Sequence, residues 1–343
     1  MSRILTVIEA GPQMSIQDLG RPGFLSVGLS RGGGADRLAL AEGAVLLGQK
    51  VSCAALEMAG TGGVFEVSQP VRIALTGAPM RARIGGRDLV WNASHILQPG
   101  ERLSIGPALK GSYGYLSVAG GFETPVIMGS RAAHLMARIG SRIGPGETLP
   151  IGRDADPSRS ANILDVEDRF EGGTVRVVPG GQTELFSAND RTRLEETEFV
   201  RSTRGNRQGV RFDFEGAPFG AEGLRTVLSE MIVPGDIQMT GDGTPFVLLP
   251  ECQTTGGYPR IGSILPQDLP IVAQAAPGAR LRFHFLTLDA ARAAYEDEAA
   301  SFRALAKKVR PLVRDPHDMA DLLSYQLISG ATSGQFTHEE GEL

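Results

Sequence analysis

Residues 253–260 hold the densest group of polar side chains beside adjacent glycines, in the order Gln-Thr-Thr-Gly-Gly-Tyr-Pro-Arg. Four of these side chains can exchange hydrogen bonds with a small polar ligand: Gln253, Thr254, Thr255 and Tyr258. The pair Gly256 and Gly257 lets the backbone approach a ligand closely, and Arg260 can pair with a carboxylate or a phosphate. The pattern indicates a site for a small polar or anionic molecule. The same residues also fit a plain hairpin, because threonine favours strands and Gly-Gly is common in hairpin loops.

A second group of polar side chains lies near the N-terminus. Gln17, Asp18 and Arg21 stand in a turn that two glycines and a proline make rigid. These side chains either point into a pocket or form a local turn with an internal ion pair. A third group, at residues 202–211, contains three arginines separated by glycines, with Arg207 in the middle. It can bind an anionic group or form the solvated end of a hairpin.

The usual catalytic and metal-binding patterns are missing from the sequence. None of the five histidines pairs with another histidine or with a cysteine at zinc-site spacing, so no metal is predicted. Residues 43–50 resemble a phosphate-binding loop only superficially, because the lysine is one place late and the first glycine lies inside a predicted helix. Cys252 qualifies as a nucleophile only with a histidine that the sequence does not place. The residues therefore support a binding pocket without a complete catalytic machinery, as expected for a subunit that shares its active site.

Composition excludes several classes of protein. With 343 residues, the chain has room for two domains or one large domain. Its net charge of -5 gives no basic surface for nucleic acid, and no apolar run approaches the roughly 18 residues of a membrane helix. The N-terminus lacks the features of a signal peptide. Cys53 and Cys252 lie in apolar surroundings, so we expect reduced, inert thiols in a cytoplasmic protein.

The pattern of glycines and apolar residues predicts a mainly β protein. The 45 glycines separate short apolar runs, which is typical of many short strands joined by tight turns. The clearest N-terminal helix spans residues 36–47, with Asp36 to begin it and Gly48 to end it. A Pro-Gly-x-x-Leu pattern occurs three times before predicted strands. This repetition favours two related β units, although Pro-Gly before a strand is also common turn chemistry.

The polar segment at residues 154–172 is the best predicted linker. It separates an N-terminal β domain with one helix, at residues 1–153, from a C-terminal β domain at residues 173–287. Residues 288–343 are predicted to form a helical tail, because their first part is rich in helix-forming residues. The apolar stripe of this predicted helix consists of Ala291, Tyr295, Ala299, Phe302 and Leu305.

Two long motifs carry a resemblance to a known family. Residues 17–23, Gln-Asp-Leu-Gly-Arg-Pro-Gly, and residues 253–260 resemble the biotin-dependent carboxyltransferase family, also called allophanate hydrolase subunit 2-like. Shorter matching stretches lie at residues 75–78, 115–121, 129–131, 178–182, 235–238, 268–269 and 322–330. The resemblance therefore spans nearly the whole sequence, and the two long motifs are specific.

The resemblance implies a cyclophilin-like β-barrel architecture and partner proteins. Its favoured implication is a 5-oxoprolinase-type subunit that works with a KipI-like, B-type partner and an A-type partner, where ATP hydrolysis drives the opening of a lactam. A second implication is carboxyl transfer to urea or a related amide. Biotin would then arrive on another chain, because this sequence lacks a Met-Lys-Met carrier motif. A third is a regulatory antagonist that binds a KipI-like kinase inhibitor without turnover.

Both enzyme chemistries act on a resonance-stabilised amide, so they need donors for a developing oxyanion and a group that moves a proton. By resemblance, the expected oxyanion donors are Gln253, Thr254, Thr255, Gly256 and Gly257. The expected proton carriers are Tyr258 and Asp18. The expected holders of a carboxylate or carboxyphosphate are Arg260, Arg21 and Arg207, and Gln17 is also expected at the substrate.

Two departures from the family pattern concern the substrate. Residues 206–209 read Asn-Arg-Gln-Gly where Asp-Arg-Met-Gly is expected, which removes an acid from a position that could handle a proton. Residues 30–36 read Ser-Arg-Gly-Gly-Gly-Ala-Asp where Pro and Ser-Gly-Ala are commoner. A different amide substrate is therefore an open alternative.

Overall fold

A computed structural model of the chain describes residues 3–220 and 227–313. In these residues the chain forms two β units, and short helices follow the second unit. The mainly β fold with a C-terminal helix, predicted from the sequence, is confirmed. The tail motif at residues 322–330 lies outside the described residues.

The first β unit consists of two antiparallel sheets that face each other. Its strands are β1 (Ile4–Glu9), β2 (Met14–Gln17), β3 (Ala55–Ala59), β4 (Val64–Val67), β5 (Val71–Gly77), β6 (Met80–Ile84), β7 (Arg87–Asp88), β8 (Ala93–Leu97), β9 (Leu103–Ala108), β10 (Tyr113–Val118), β11 (Thr148–Pro150) and β12 (Asn162–Leu164). One sheet has the order β11-β1-β4-β9-β6-β7. The other has the order β2-β3-β10-β5-β8-β12, and a strand from the end of the described chain extends it.

Apolar side chains from both sheets fill the space between them. Strand β6 alternates buried and exposed residues, as its Met-Arg-Ala-Arg-Ile sequence predicts. Strands β5 and β10 are buried at every position. Their second face is covered because the helix α1 (Arg37–Leu47) packs on it.

Helix α1 begins and ends at the residues that the sequence indicates. The Asp36 carboxylate accepts a hydrogen bond from the Ala39 amide at 3.1 Å, which caps the first turn. Gly48 ends the helix with a left-handed φ of 68°. The second Asp36 oxygen accepts from Nε of Arg169 and Nε2 of Gln274, each at 2.8 Å. The start of the helix is therefore hydrogen-bonded to Arg169, which precedes the second β unit, and to Gln274, which belongs to it.

The second β unit is a closed barrel. Its strands are β13 (Gly172–Val178), β14 (Phe199–Asn206), β15 (Gly209–Asp213), β16 (Glu230–Met231), β17 (Asp236–Met239), β18 (Pro245–Leu248), β19 (Thr255–Gly256), β20 (Arg260–Ile264) and β21 (Arg280–Phe285). The ring has the order β13-β20-β17-β18-β15-β14-β21, and the parallel pair β13 and β21 closes it. Strands β16 and β19 form a separate two-stranded sheet. Helices α2 (Ala188–Glu196) and α3 (Leu269–Gln274) complete the unit.

Aromatic rings fill the barrel, and one polar residue joins the barrel to the first unit. The Phe199 and Phe283 rings lie 5.0 Å apart and the Phe212 and Phe283 rings 5.8 Å apart, between centroids. On α3, the side-chain oxygen Oε1 of Gln274 accepts hydrogen bonds from the amides of Ser112 and Tyr113 at 3.1 and 2.9 Å. The two units are therefore held against each other by direct hydrogen bonds.

The tail departs from the single long helix expected after residue 288. It forms helix α4 (Leu288–Ala294), helix α5 (Glu298–Leu305) and a last strand, β22 (Val309–Pro311), which pairs with β12. The helix breaks because Tyr295 adopts an extended backbone and Asp297 then caps α5 through the Ala300 amide at 2.8 Å. Phe302 on α5 packs beside α1.

The segment at residues 154–172, predicted as a linker, contains ordered contacts in the structure. It includes β12, which pairs with β8 at Ile163 and Ala93. It also includes Arg169, which is buried between Asp36 and Glu42. The domain bounds at residues 153 and 173 stay a prediction.

Candidate active site between the two β units

The segment that follows residues 17–23 contacts the segment that leads into residues 253–260 where the barrel touches the first unit. The Gly32 amide donates to the carbonyl of Pro250 at 3.0 Å. A Cβ placed on Gly28 would lie 3.9 Å from Oγ1 of Thr254. A third segment, residues 124–139, packs over both, since the Met136 amide donates to Oε2 of Glu251 at 3.2 Å. We call residues 124–139 the covering loop.

Arg207 fastens the barrel to the first unit. It lies in the turn between β14 and β15, and its Nε donates to Oε1 of Glu251 at 2.5 Å. Its other two nitrogens donate to a carboxylate oxygen of Glu57, on β3, and to the carbonyl of Gly33. Burial lowers the pKa of Arg207, but Glu57 and Glu251 outweigh it and hold this pKa above its ordinary value. The guanidinium therefore has partners on every side and acts as a structural cross-link.

Asp18 organises the loops around it. One carboxylate oxygen accepts from the Gly20 amide at 2.8 Å and from the Ser130 hydroxyl at 2.6 Å. The other accepts from the Arg131 amide at 2.7 Å. This carboxylate joins the turn after β2 to the covering loop, and with three donors on it the geometry favours an anchoring role over proton transfer.

Gln17 and Arg21 are buried under the covering loop. The Gln17 amide nitrogen donates to Ser15 Oγ at 2.9 Å and to the Ala133 carbonyl at 3.2 Å. Arg21 is 1% exposed, and it donates to the carbonyls of Ala132 and, at 3.4 Å, Ile127. Its third nitrogen, Nη1, has no hydrogen-bond partner within the described residues. Burial lowers the pKa of Arg21, and Asp18 and Glu251 oppose this shift.

Beside Arg21 lies a pair that sequence reasoning missed. The Ser30 hydroxyl and Nε2 of His134 are 2.9 Å apart, and both residues are buried. Nδ1 of His134 accepts from the Ala137 amide at 3.2 Å and lies 3.9 Å from Oε2 of Glu251. Burial lowers the pKa of His134, and Arg21 and Arg207 lower it further against the opposing charge of Glu251.

Glu57 and Glu251 were also missed from the sequence. A signal for Glu57 was present, because it is an acid in the middle of the otherwise apolar strand β3. Glu251 lies two places before Gln253 and three places after the last residue of β18. An acid at such a position requires a buried cation, but nothing local identifies Arg207 as that cation.

The polar stretch at residues 253–260 forms one side of a flap. Thr255–Gly256 pairs with Glu230–Met231 in the two-stranded sheet, and the Ile232 amide donates to the carbonyl of Thr254 at 3.1 Å. Strand pairing therefore shapes the stretch, but it is not a plain hairpin, because Gly256 lies in a strand whose partner is at residues 230–231. Within the described residues, no side-chain hydrogen bond forms from Gln253, Thr254, Thr255 or Tyr258.

Arg260 holds the base of this flap. Its Nη2 donates to Glu230 at 2.5 Å, and its Nη1 donates to the Met231 carbonyl at 2.9 Å and to Asp236 at 3.3 Å. These partners occupy the guanidinium. Beneath Gly256, Nε2 of the buried Gln238 has no partner within the described part of the chain.

Cys252 is shielded beside the flap, and we expect it to resist alkylation. Burial raises the pKa of its thiol to about 12, and Asp236 contributes to the shift. On the order of 10⁻⁴ of this thiol is then ionised at pH 8, against roughly a quarter of a free thiol. In a Cys53→Ser variant, iodoacetamide labelling of Cys252 at pH 8, followed by mass spectrometry, should be far slower in the folded chain than in urea. Equal rates would show that the thiol is accessible and would reopen its nucleophilic role.

Two further features are absent from the described part of the chain. Within residues 3–220 and 227–313, no group of three or more His, Cys, Asp or Glu side chains is placed to hold a metal ion. No helix in the same ranges is long and apolar enough to cross a membrane.

Comparisons with known proteins match the sequence and the fold. The C subunit of 5-oxoprolinase from Escherichia coli (strain K12) is 32% identical over 308 residues, which cover 88% of this chain and 98% of that protein. A putative urea carboxylase of Emericella nidulans is 27% identical over 83% of this chain and 24% of its own length. The solved structure of Kluyveromyces lactis urea carboxylase superposes with a TM-score of 0.76 at 22% identity, over 91% of this chain and 31% of that chain. Residues 27–285 match the model of one family, and the chain belongs to that family, described as the carboxyltransferase domain, subdomain A and B.

Proposed function

We propose that this chain is the C-type subunit of a cytoplasmic, heteromeric, ATP-dependent enzyme that hydrolyses 5-oxoproline to glutamate. The support from comparison is the Escherichia coli C subunit of 5-oxoprolinase, which matches almost end to end. The structural observation that carries the proposal is the buried Arg21 guanidinium, whose Nη1 has no partner within the described residues. 5-Oxoproline is a five-membered lactam that bears a carboxylate, and a carboxylate is the group that an arginine with a free N–H recognises.

The structure separates the three arginines expected to hold an anion. Arg207 is paired with two buried carboxylates and a carbonyl. Arg260 is paired with Glu230, Asp236 and a carbonyl. Arg21 makes no ion pair within the described residues and contacts only carbonyls. Because an anion must displace the acids around the first two guanidinium groups but not around the third, we assign the carboxylate to Arg21.

We assign the lactam group to the flap. Gln253, Thr255 and Tyr258 are exposed there and free of protein partners in the described residues, so their polar groups are available to a ligand. Tyr258 and Gln253 stay the candidates for moving a proton and polarising the amide, with Thr254 and the amides of Gly256 and Gly257 as further donors. Asp18 is less suited to proton transfer, since three donors already hold its carboxylate.

The exposure of the flap explains why partners are needed. Donors stabilise a developing oxyanion strongly only where water is excluded, and Tyr258 is 43% exposed here. The covering loop also presents apolar side chains to solvent, namely Val126, Ile127, Met128 and Met136. We propose that a KipI-like, B-type partner covers this face, completes the site and admits substrate to Arg21, and that an A-type partner supplies the ATP chemistry.

A carboxyltransferase role is the second candidate, because the Emericella nidulans relative is a putative urea carboxylase. Arg21 would then hold the carboxylate of carboxybiotin delivered by another chain. Urea itself has no carboxylate. Arg21 would therefore bind the substrate in the first function and carboxybiotin in the second.

The test is a reconstitution. We expect 5-oxoproline-dependent ATP hydrolysis from this chain mixed with its A-type and B-type partners, and only background hydrolysis when this chain is left out. The matched assay replaces 5-oxoproline by urea and adds a carboxybiotin carrier. Turnover in the second assay alone would reject the lactam and support the carboxyltransferase. Partner binding with no turnover in either assay would support a regulatory antagonist.

A further inference from the structure

The tautomer of His134 can be read from its surroundings. The Ala137 amide donates to Nδ1, so Nδ1 carries a lone pair and the ring proton of the neutral form is on Nε2. Nε2 therefore donates to the Ser30 hydroxyl at 2.9 Å, and the Ser30 oxygen is the acceptor. Burial and the nearby Arg21 and Arg207 keep the ring neutral by lowering its pKa, with Glu251 as the opposing charge.

This arrangement leaves the Ser30 hydrogen unused. A hydroxyl has one hydrogen to donate, and its only side-chain partner within the described residues is the imidazole that donates to it. Ser30 is 2% exposed, so an unused donor there is costly unless a ligand accepts from it. Arg21 presents a second unused donor, Nη1, in the same buried region.

Arg21 and the His134 ring that contacts Ser30 both flank Gly32. A Cβ on Gly32 would lie 3.1 Å from Cδ2 of His134, the carbon bonded to Nε2, and 3.5 Å from Nη1 of Arg21. A side chain at this position would meet the imidazole and the guanidinium, so glycine lets Arg21 and the Ser30–His134 pair come close together. This stretch is also where the sequence departs from the family pattern, at residues 30–36.

We propose that Ser30 and Arg21 form a two-donor subsite for the carboxylate of the substrate, one donor to each oxygen, and that His134 is the residue that positions the Ser30 hydroxyl. The inference rests on the proposed function for the identity of the substrate. Arg21 supplies the charge, Ser30 supplies the second hydrogen bond, and the Nε2–H of His134 fixes the direction in which Ser30 donates. On the barrel side, Oε2 of Glu251 lies 3.9 Å from Nδ1 of the imidazole, and Arg207 pairs with the other oxygen of this glutamate.

Four variants in the reconstituted complex test the subsite. Ser30→Ala and His134→Phe should each raise the KM for 5-oxoproline about tenfold or more, because a hydrogen bond to a charged group is lost. They should leave the KM for 2-pyrrolidone, the same lactam without the carboxylate, unchanged. His134→Gln retains an N–H donor and should recover part of the loss. His284→Gln is the matched control, because His284 also lies beside a glutamate, Glu195, at 3.0 Å but on the barrel surface. Equal losses for both lactams would overturn the subsite and leave only a structural role.

A second measurement does not need turnover. In the complex with the B-type partner, ¹⁵N spectra of the imidazoles should show His134 protonated on Nε2, and titration with 5-oxoproline should shift this signal in wild type but not in Ser30→Ala. An Nδ1-protonated His134, or an unchanged signal at saturating 5-oxoproline, would overturn the proposal. If the complex fails to hydrolyse 5-oxoproline while the signal shifts, the proposed function fails and the subsite stands.

Discussion

Replacing Arg21 by methionine should lower kcat/KM for 5-oxoproline by about 10²-fold in the reconstituted complex. Methionine keeps much of the apolar length of arginine but removes the charge and the unused Nη1 donor. Charge-assisted hydrogen bonds contribute up to about 3 kcal/mol, and every 1.4 kcal/mol is roughly tenfold. The loss should be seen mainly in KM, since a carboxylate distant from the reacting amide is bound alike in the ground and transition states.

The same variant also loses bonds to the carbonyls of Ile127 and Ala132, so its folding must be checked. We expect the free energy of unfolding to fall by about 1–3 kcal/mol, which leaves the chain folded. Arg282→Met is the matched control, because Arg282 is exposed on the barrel and contacts only Glu198, at 3.3 Å. A folded Arg21→Met variant with unchanged KM would remove Arg21 from the substrate site.

Replacing Arg207 by methionine should destabilise the chain by about 3–5 kcal/mol. The guanidinium lies between the carboxylates of Glu57 and Glu251, each 2% exposed, and its removal leaves two buried negative charges without a cation. Urea unfolding followed by circular dichroism measures the change. Because the Arg207–Glu57 ion pair joins the two β units, the barrel and the first unit should also unfold less cooperatively in the variant.

Two further variants test whether the loss of stability comes from the buried ion pairs of Arg207. Adding Glu57→Gln and Glu251→Gln to Arg207→Met should recover part of the lost stability, because the buried charges are removed together with their partner. Arg282→Met should cost no more than about 1 kcal/mol, as expected for an exposed pair with Glu198. A loss of the same small size at Arg207 would mean that the two units are held together by other contacts.

Local signals allowed parts of the fold to be predicted. Asp36 and Gly48 bound helix α1 because a capping carboxylate and a left-handed glycine act within one turn of the helix. The alternation of apolar and polar residues in β6 also predicted its two faces, because successive side chains of a strand point to opposite faces. The break between α4 and α5 was missed, although Asp297 is itself a capping residue, since the apolar stripe was given more weight than the cap.

The candidate site could be predicted only in part. The two long motifs were identified by their residue types and by resemblance, and the structure brings the segments that flank them together through the Gly32 amide and the Pro250 carbonyl. The partners of Arg207 could not be predicted, because its pairs with Glu57 and Glu251 join residues far apart in the chain. The Ser30–His134 pair was missed for the same reason: neither residue lies beside the other in sequence, and a lone histidine carries no signal of its tautomer.

We propose that Arg21 binds the carboxylate of a lactam substrate at the junction of the two units. The most direct test measures kcat/KM for 5-oxoproline and for 2-pyrrolidone, in complexes that contain either wild type or Arg21→Met. We predict that the wild-type complex prefers 5-oxoproline by about 10²-fold and that the variant loses this preference by slowing only on 5-oxoproline. A preference that is the same in both complexes would contradict this role of Arg21.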